Sequence, residues 1–105
     1  MKIKLTVQDR IAIQGSLQEK DSFENLCLRH EILEKTSFSS DEIENNKIKT
    51  IQDGDNSRLT WIETEMKDYE FNDTEIKYIS SNLKRLSEAK ELTTLHYLLY
   101  KKFVI

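Results

Sequence analysis

Asn72-Asp73-Thr74-Glu75 writes a helix start into the chain, and apolar residues follow it at Ile76, Ile79, Leu83 and Leu86. Asn72 and Glu75 have capping-box spacing. The Asn72 side chain can accept from a backbone N–H three residues on, and the Glu75 carboxylate can accept from the N–H of Asn72. The steps between the apolar residues lay a single hydrophobic stripe along a helix running from Asp73 to about Glu88. Proline is absent and glycine occurs only at Gly15 and Gly54. So few breakers commit most of the chain to regular elements and leave the turns to Asn, Asp and Ser.

The same grammar recurs. Thr6 caps a first helix to about Gln14, with Val7 and Ile11 on one face and Gly15 ending it. Asp21 or Ser22 opens a second helix to about Lys35, in which Phe23, Leu26, Ile32 and Leu33 form an apolar stripe. Ser39 and Glu42 form another capping box, opening a short helix that ends near Asn45-Asn46. Ile48 to Asp53 and Leu59 to Thr64 read as two strands around the polar five-residue tip Asp53-Gly54-Asp55-Asn56-Ser57. In the second strand Leu59 and Trp61 face one way, Thr60 and Ile62 the other. Tyr69 and Phe71 suggest a short third strand. Thr93 or Thr94 caps a last helix with Leu95, Leu99 and Phe103 on one face. The expected fold is α+β: a single, mainly helical domain over residues 1–105 with a small antiparallel hairpin, ordered helix, helix, short helix, hairpin, helix, helix.

A chain of this length buries roughly 65% of its unfolded surface, so neither disulfides nor a structural metal is needed. Cys27 is the lone cysteine, which points to a reducing, cytoplasmic setting. No apolar run approaches the ~20 residues of a membrane span, and the N-terminus lacks a signal-peptide core.

The net charge of −3 hides an asymmetry. Residues 1–40 carry six basic and six acidic side chains, residues 41–75 four and eleven, and residues 76–105 six and two. The central segment is therefore at −7 and the last at +4. The acidic block covers the expected hairpin and its flanks. It reads as a solvated surface or as a face for a basic protein, with Asp53 and Asp55 as partner-binding candidates, and it disfavours contact with nucleic-acid phosphates.

The opening Leu5-Thr6-Val7-Gln8-Asp9-Arg10, the helix Leu28-Arg29-His30-Glu31-Ile32-Leu33-Glu34-Lys35 with Ser37-Phe38-Ser39 after it, Trp61, and the ending from Leu92-Thr93 to Phe103 carry a resemblance. In pattern and order, over nearly the whole chain, they resemble small uncharacterised accessory proteins of phages and prophages. Those proteins tend to have Leu-Pro after the first helix, where this chain has Leu17-Gln18. The resemblance implies a viral accessory role and transfers no catalytic residue.

No constellation defines a reaction. His30-Glu31-Ile32-Leu33-Glu34 resembles a zinc-protease helix, but Glu34 stands where the second imidazole is required. Cys27 and His30 could contribute to a site, and His96 is the only other histidine. The residues read better as ordinary helix positions, so no metal is expected. The hairpin tip resembles a calcium loop but has Arg58 in place of the required Gly and Thr64 in place of the bidentate Glu. The serines have turn, cap or surface explanations, and no Gly-rich phosphate loop exists. No cofactor is expected.

The order of the first elements resembles a winged helix, whose third helix reads the major groove. Here that helix reads Asp41-Glu42-Ile43-Glu44-Asn45-Asn46 and would repel phosphate. In the last helix, Tyr97 and Tyr100 add a second apolar side to the one carrying Leu95, Leu99 and Phe103. That pattern fits deep burial or a subunit contact, including a homo-oligomer. The expected function is a non-enzymatic protein-binding module, phage-encoded and acting on a host protein. A winged-helix-like nucleic-acid-binding regulator is the alternative.

Overall fold

The structure, a computed structural model, describes residues 1–63 and 66–105, with the backbone alone at Asp53. Nine elements follow one another: β1 (Lys2–Leu5), α1 (Val7–Ser16), α2 (Phe23–Thr36), α3 (Ser40–Asn45), β2 (Lys49–Asp53), β3 (Asn56–Thr60), β4 (Lys67–Glu70), α4 (Asp73–Glu88) and α5 (Thr94–Phe103). The chain is α+β and mainly helical, as its pattern requires.

Local signals open the helices. Thr6, Ser39 and Asn72 are N-caps with reciprocal capping boxes to Asp9, Glu42 and Glu75, and Ser22 caps α2 through Asn25 N–H. The ends are less expected. α1 runs through Gly15 and stops where Leu17 turns extended. α3 and α4 close with Lys47 and Lys90 in the left-handed region, at φ 49° and 58°. Ile48 N–H donates to Ile43 O and Glu91 N–H to Leu86 O, the long bond of a Schellman closure. With only two glycines in the chain, lysines take positions that glycine would hold without strain.

α1, α4 and α5 pack on one another, and α2 lies against α1 and α4. Between them sit Ile13, Ile32, Ile79, Leu83 and Leu99, all fully buried. Ile79, Leu83 and Leu86 of the α4 stripe are buried, and Ile76 packs against the cluster. Phe71 and Phe103 meet edge to face at 5.6 Å and close one end.

β1 pairs antiparallel with β4, placing Ile3 opposite Tyr69. β1 is not announced by the sequence pattern, and the short strand suggested by Tyr69 and Phe71 does not join the hairpin. In fact Lys67–Glu70 pairs with the chain's N-terminal strand, and Phe71 follows it, its N–H donating to Met1 O. β2 and β3 form a separate hairpin with Asp53 opposite Asn56. The turn is therefore two residues, Gly54-Asp55, and not the five expected. Gly54, at φ 65°, supplies the positive φ that a tight hairpin turn needs at its first position. β3 ends at Thr60; the expected strand end at Thr64 lies outside the described residues. No described side chain of β2 or β3 is buried, so Leu59 has no core face to point at.

The stripe on α2 is also corrected. Ile32 is fully buried, whereas Phe23 is 80% exposed and Leu26 is exposed too. The helix rests on the core by its C-terminal half, and its first turns stand away from it.

Candidate functional site: exposed apolar surfaces at the two ends

The candidate residues separate into two places. Tyr97 and Tyr100 share a groove along α5, together with Leu92, Thr93, Lys101 and Ile105, enclosing about 570 Å³. Leu99 and Phe103 are buried and Leu95 packs against the core, which turns the i, i+3 tyrosine pair toward the surface. Tyr100 is half-buried and forms the inner wall. Tyr97 is 60% exposed and forms the rim, with Lys101 Nζ 5.1 Å from its ring. Ile105 is among the most exposed large apolar residues described. Deep burial therefore does not take up the second apolar side of α5 at Tyr97.

The groove starts at an unusual helix cap. His96 Nδ1 accepts from Thr93 N–H at 3.0 Å, taking the position a Glu holds in an ordinary capping box. Desolvation lowers the His96 pKa. The neutral imidazole that accepts this bond is therefore the favoured form.

Asp53 and Asp55 lie elsewhere, at the hairpin tip. Asp55 is exposed, and the Asp53 side chain lies outside the described residues. The arm also carries Lys47, Lys49 and Arg58, so it is not acidic in itself. The acidic excess sits on the flanks, where much of it is engaged within the fold. Glu42 pairs with Arg10 and Lys67, Glu70 with the N-terminal amine, and Glu75 with Lys35. Glu63 accepts from Val7 and Gln8 N–H at 3.1 and 3.0 Å, adding an anion to the N-terminus of α1. Asp41, Glu44, Asp68 and Asp73 remain exposed. Ile43, Leu59, Ile62 and Met66 are exposed large apolar residues on and around the arm.

Arg10 joins this region to the core. It is 4% exposed, donates to the carbonyls of Thr36 and Ser37, and grips Glu42 with two nitrogens. Its guanidinium lies 4.1 Å from the Phe38 ring centre. The bidentate bond to Arg10 is the main reason the Glu42 carboxyl falls to about 2. Beyond α3, Asn46 Nδ2 donates to Ile62 O and Ile62 N–H to Asn46 O, tying the arm to the helix end.

His30 Nε2 and Glu34 Oε1 lie 3.0 Å apart on the exposed side of α2, Cys27 is exposed, and His96 is spent on the α5 cap. Among the described residues, no three or more His, Cys, Asp or Glu side chains gather as a metal site. No described helix is long and apolar enough to cross a membrane.

Compared with known proteins, the chain matches no family model, no curated protein and no solved structure.

Proposed function

We propose that this protein is a non-enzymatic protein-binding module acting in the cytosol, and that the α5 groove is its docking surface. The observation that carries this reading is the company Tyr97 keeps. An exposed tyrosine, an exposed Ile105, a half-buried Tyr100 and Leu92 line one depression with a lysine at the edge. Aromatic residues with an apolar body and a polar tip are the common anchors of protein interfaces. A partner segment with apolar side chains and an acidic residue near Lys101 fits such a groove. The resemblance to phage and prophage accessory proteins supports a host protein as that partner, and the exposed acids of residues 41–75 would speed association with a basic one.

The test is capture from host lysate with three immobilised proteins: wild type, Tyr97→Asp and Asp55→Lys, each shown folded by its urea transition. The reading expects a polypeptide retained by wild type and by Asp55→Lys and lost with Tyr97→Asp. Identical capture by wild type and Tyr97→Asp would remove the groove from the account. The regulator alternative makes a different demand. Duplex DNA should bind no better than ~10⁻⁴ M at physiological salt, the weak end of non-specific binding. Sub-micromolar, sequence-dependent binding in an anisotropy titration would put the winged-helix reading first.

A further inference from the structure

A cleft between α2 and α4 lies away from the α5 groove and is independent of the role proposed for it. It arises because the first turns of α2 stand off the core. On α4, Thr74, Tyr78, Ser81, Asn82 and Arg85 recur at helical spacing along the facing side, with Lys77 beside them. Asp21, Asn25 and Leu28 form the opposite wall, and the space between encloses about 490 Å³. That volume lies within the range of small-molecule sites.

The floor of the cleft is a connected polar network. Arg85 donates to Ser16 O at 3.2 Å and to Asn82 Oδ1 at 3.4 Å, and Gln18 N–H donates to the same Asn82 oxygen at 3.3 Å. With the Gln18 amide oriented to satisfy both its groups, its nitrogen donates to Asp21 at 3.2 Å and its oxygen accepts from Arg85 at 3.1 Å. Asp21 also accepts from Ser22 N–H and the Asn25 amide, at 2.7 and 3.0 Å. The one acid of the cleft is thus already occupied by donors.

Tyr78 is the exception. It is 7% exposed, and its hydroxyl has no partner in hydrogen-bonding geometry. The Asn82 amide is near enough to favour the ionised ring oxygen, but its nitrogen donates to Tyr78 O at 2.9 Å. Burial, reinforced by the nearby Asp21 charge, outweighs Asn82 and the Arg29 and Arg85 charges and raises the Tyr78 pKa, leaving a neutral hydroxyl able to donate. A buried hydroxyl without a partner is a standing cost to the fold. Lys77 is exposed and enters none of the ion pairs among the described residues. The cleft therefore offers unused donors at Lys77 and Tyr78, and the charge of its one acid, Asp21, is met by the donors of Ser22, Asn25 and Gln18.

We propose that the α2–α4 cleft binds the anionic group, carboxylate or phosphate, of a small molecule, with Lys77 supplying charge and the Tyr78 hydroxyl a hydrogen bond. The hydroxyl is covered in this conformation. Binding through the hydroxyl requires that cover to open.

The test is a two-dimensional amide NMR titration of the full chain with inorganic phosphate and, separately, citrate, using sodium chloride to match ionic strength. Saturable shifts confined to residues 18–28 and 74–85 are expected with at least one anion. The anion that saturates identifies the chemistry, and saturation by neither overturns the proposal. Lys77→Gln should weaken binding about tenfold, the loss of one charge-assisted contact. Tyr78→Phe should raise the urea midpoint while weakening binding, because a hydroxyl kept for a ligand costs stability without it. Unchanged affinity in both variants, or a Tyr78→Phe protein less stable than wild type, would overturn the assignment.

Discussion

Helix α4 and the β2–β3 hairpin are both announced by short local signals, yet they end in opposite environments. The capping box at Asn72 and the Gly54 turn each specify an element. α4 then buries Tyr78, Ile79, Leu83 and Leu86, whereas the hairpin buries no described side chain. Local chemistry determines that an element forms, and burial determines how much stability it carries. A two-stranded hairpin is marginal by itself in water. This one is held at its base by Asn46, Ile62 and, through α3, the Arg10–Glu42 pair.

Substitutions can break this contrast. Leu83→Ala, at a fully buried position, should cost about 2–5 kcal/mol in urea unfolding, the range for a buried leucine that leaves a cavity. A loss below about 0.5 kcal/mol, the surface-substitution range, would mean that the α4 stripe is not core.

The joint between the regions should respond to acid. Glu42 is held at about 2 against an ordinary 4.5, first by Arg10. A depressed carboxyl contributes stability that is complete above its unfolded value and lost as pH falls through its folded one. Unfolding free energy should therefore drop by about 1–3 kcal/mol on this account alone as pH falls from above 4.5 to below 2, solvent screening at this partly exposed carboxylate setting the lower figure. Arg10→Ala should be destabilised at pH 7 and lose most of that part of the acid dependence. An unaltered acid slope in Arg10→Ala would show that Glu42 is not held this way.

Lys90 closes α4 at φ 58°, so Lys90→Gly should raise stability by about 0.5–1 kcal/mol, relieving a left-handed side chain. Leu59→Ala on the exposed face of β3 should change global stability by less than about 0.5 kcal/mol. A loss of 2 kcal/mol or more, the cost of a core deletion, would place the hairpin in the core and erase the contrast.

The same division explains what could be read in advance. α4 was legible residue by residue, because its cap, its stripe and its length lie within one continuous segment. β1 was not, because Lys2–Leu5 acquires meaning only from Lys67–Glu70, more than sixty residues away. Glu63 at the N-terminus of α1 is equally non-local. The α2 stripe had the correct period, but periodicity does not say how far along a helix the core extends, and Phe23 lies beyond it. In the candidate groove, the i, i+3 spacing of Tyr97 and Tyr100 pointed to a second apolar side. The α2–α4 cleft gave only a polar run on α4, which looks like an ordinary solvated face until the opposite wall is known.

Native-state hydrogen exchange tests the division most directly. Amides from Ile79 to Leu86 should exchange only through global unfolding, with protection equal to the unfolding free energy from urea, and the paired amides of Lys49–Thr60 should exchange through local opening at a clearly lower free energy. Equal protection in the two regions, falling together as urea is added, would contradict the account and make the arm part of one cooperative unit with the core.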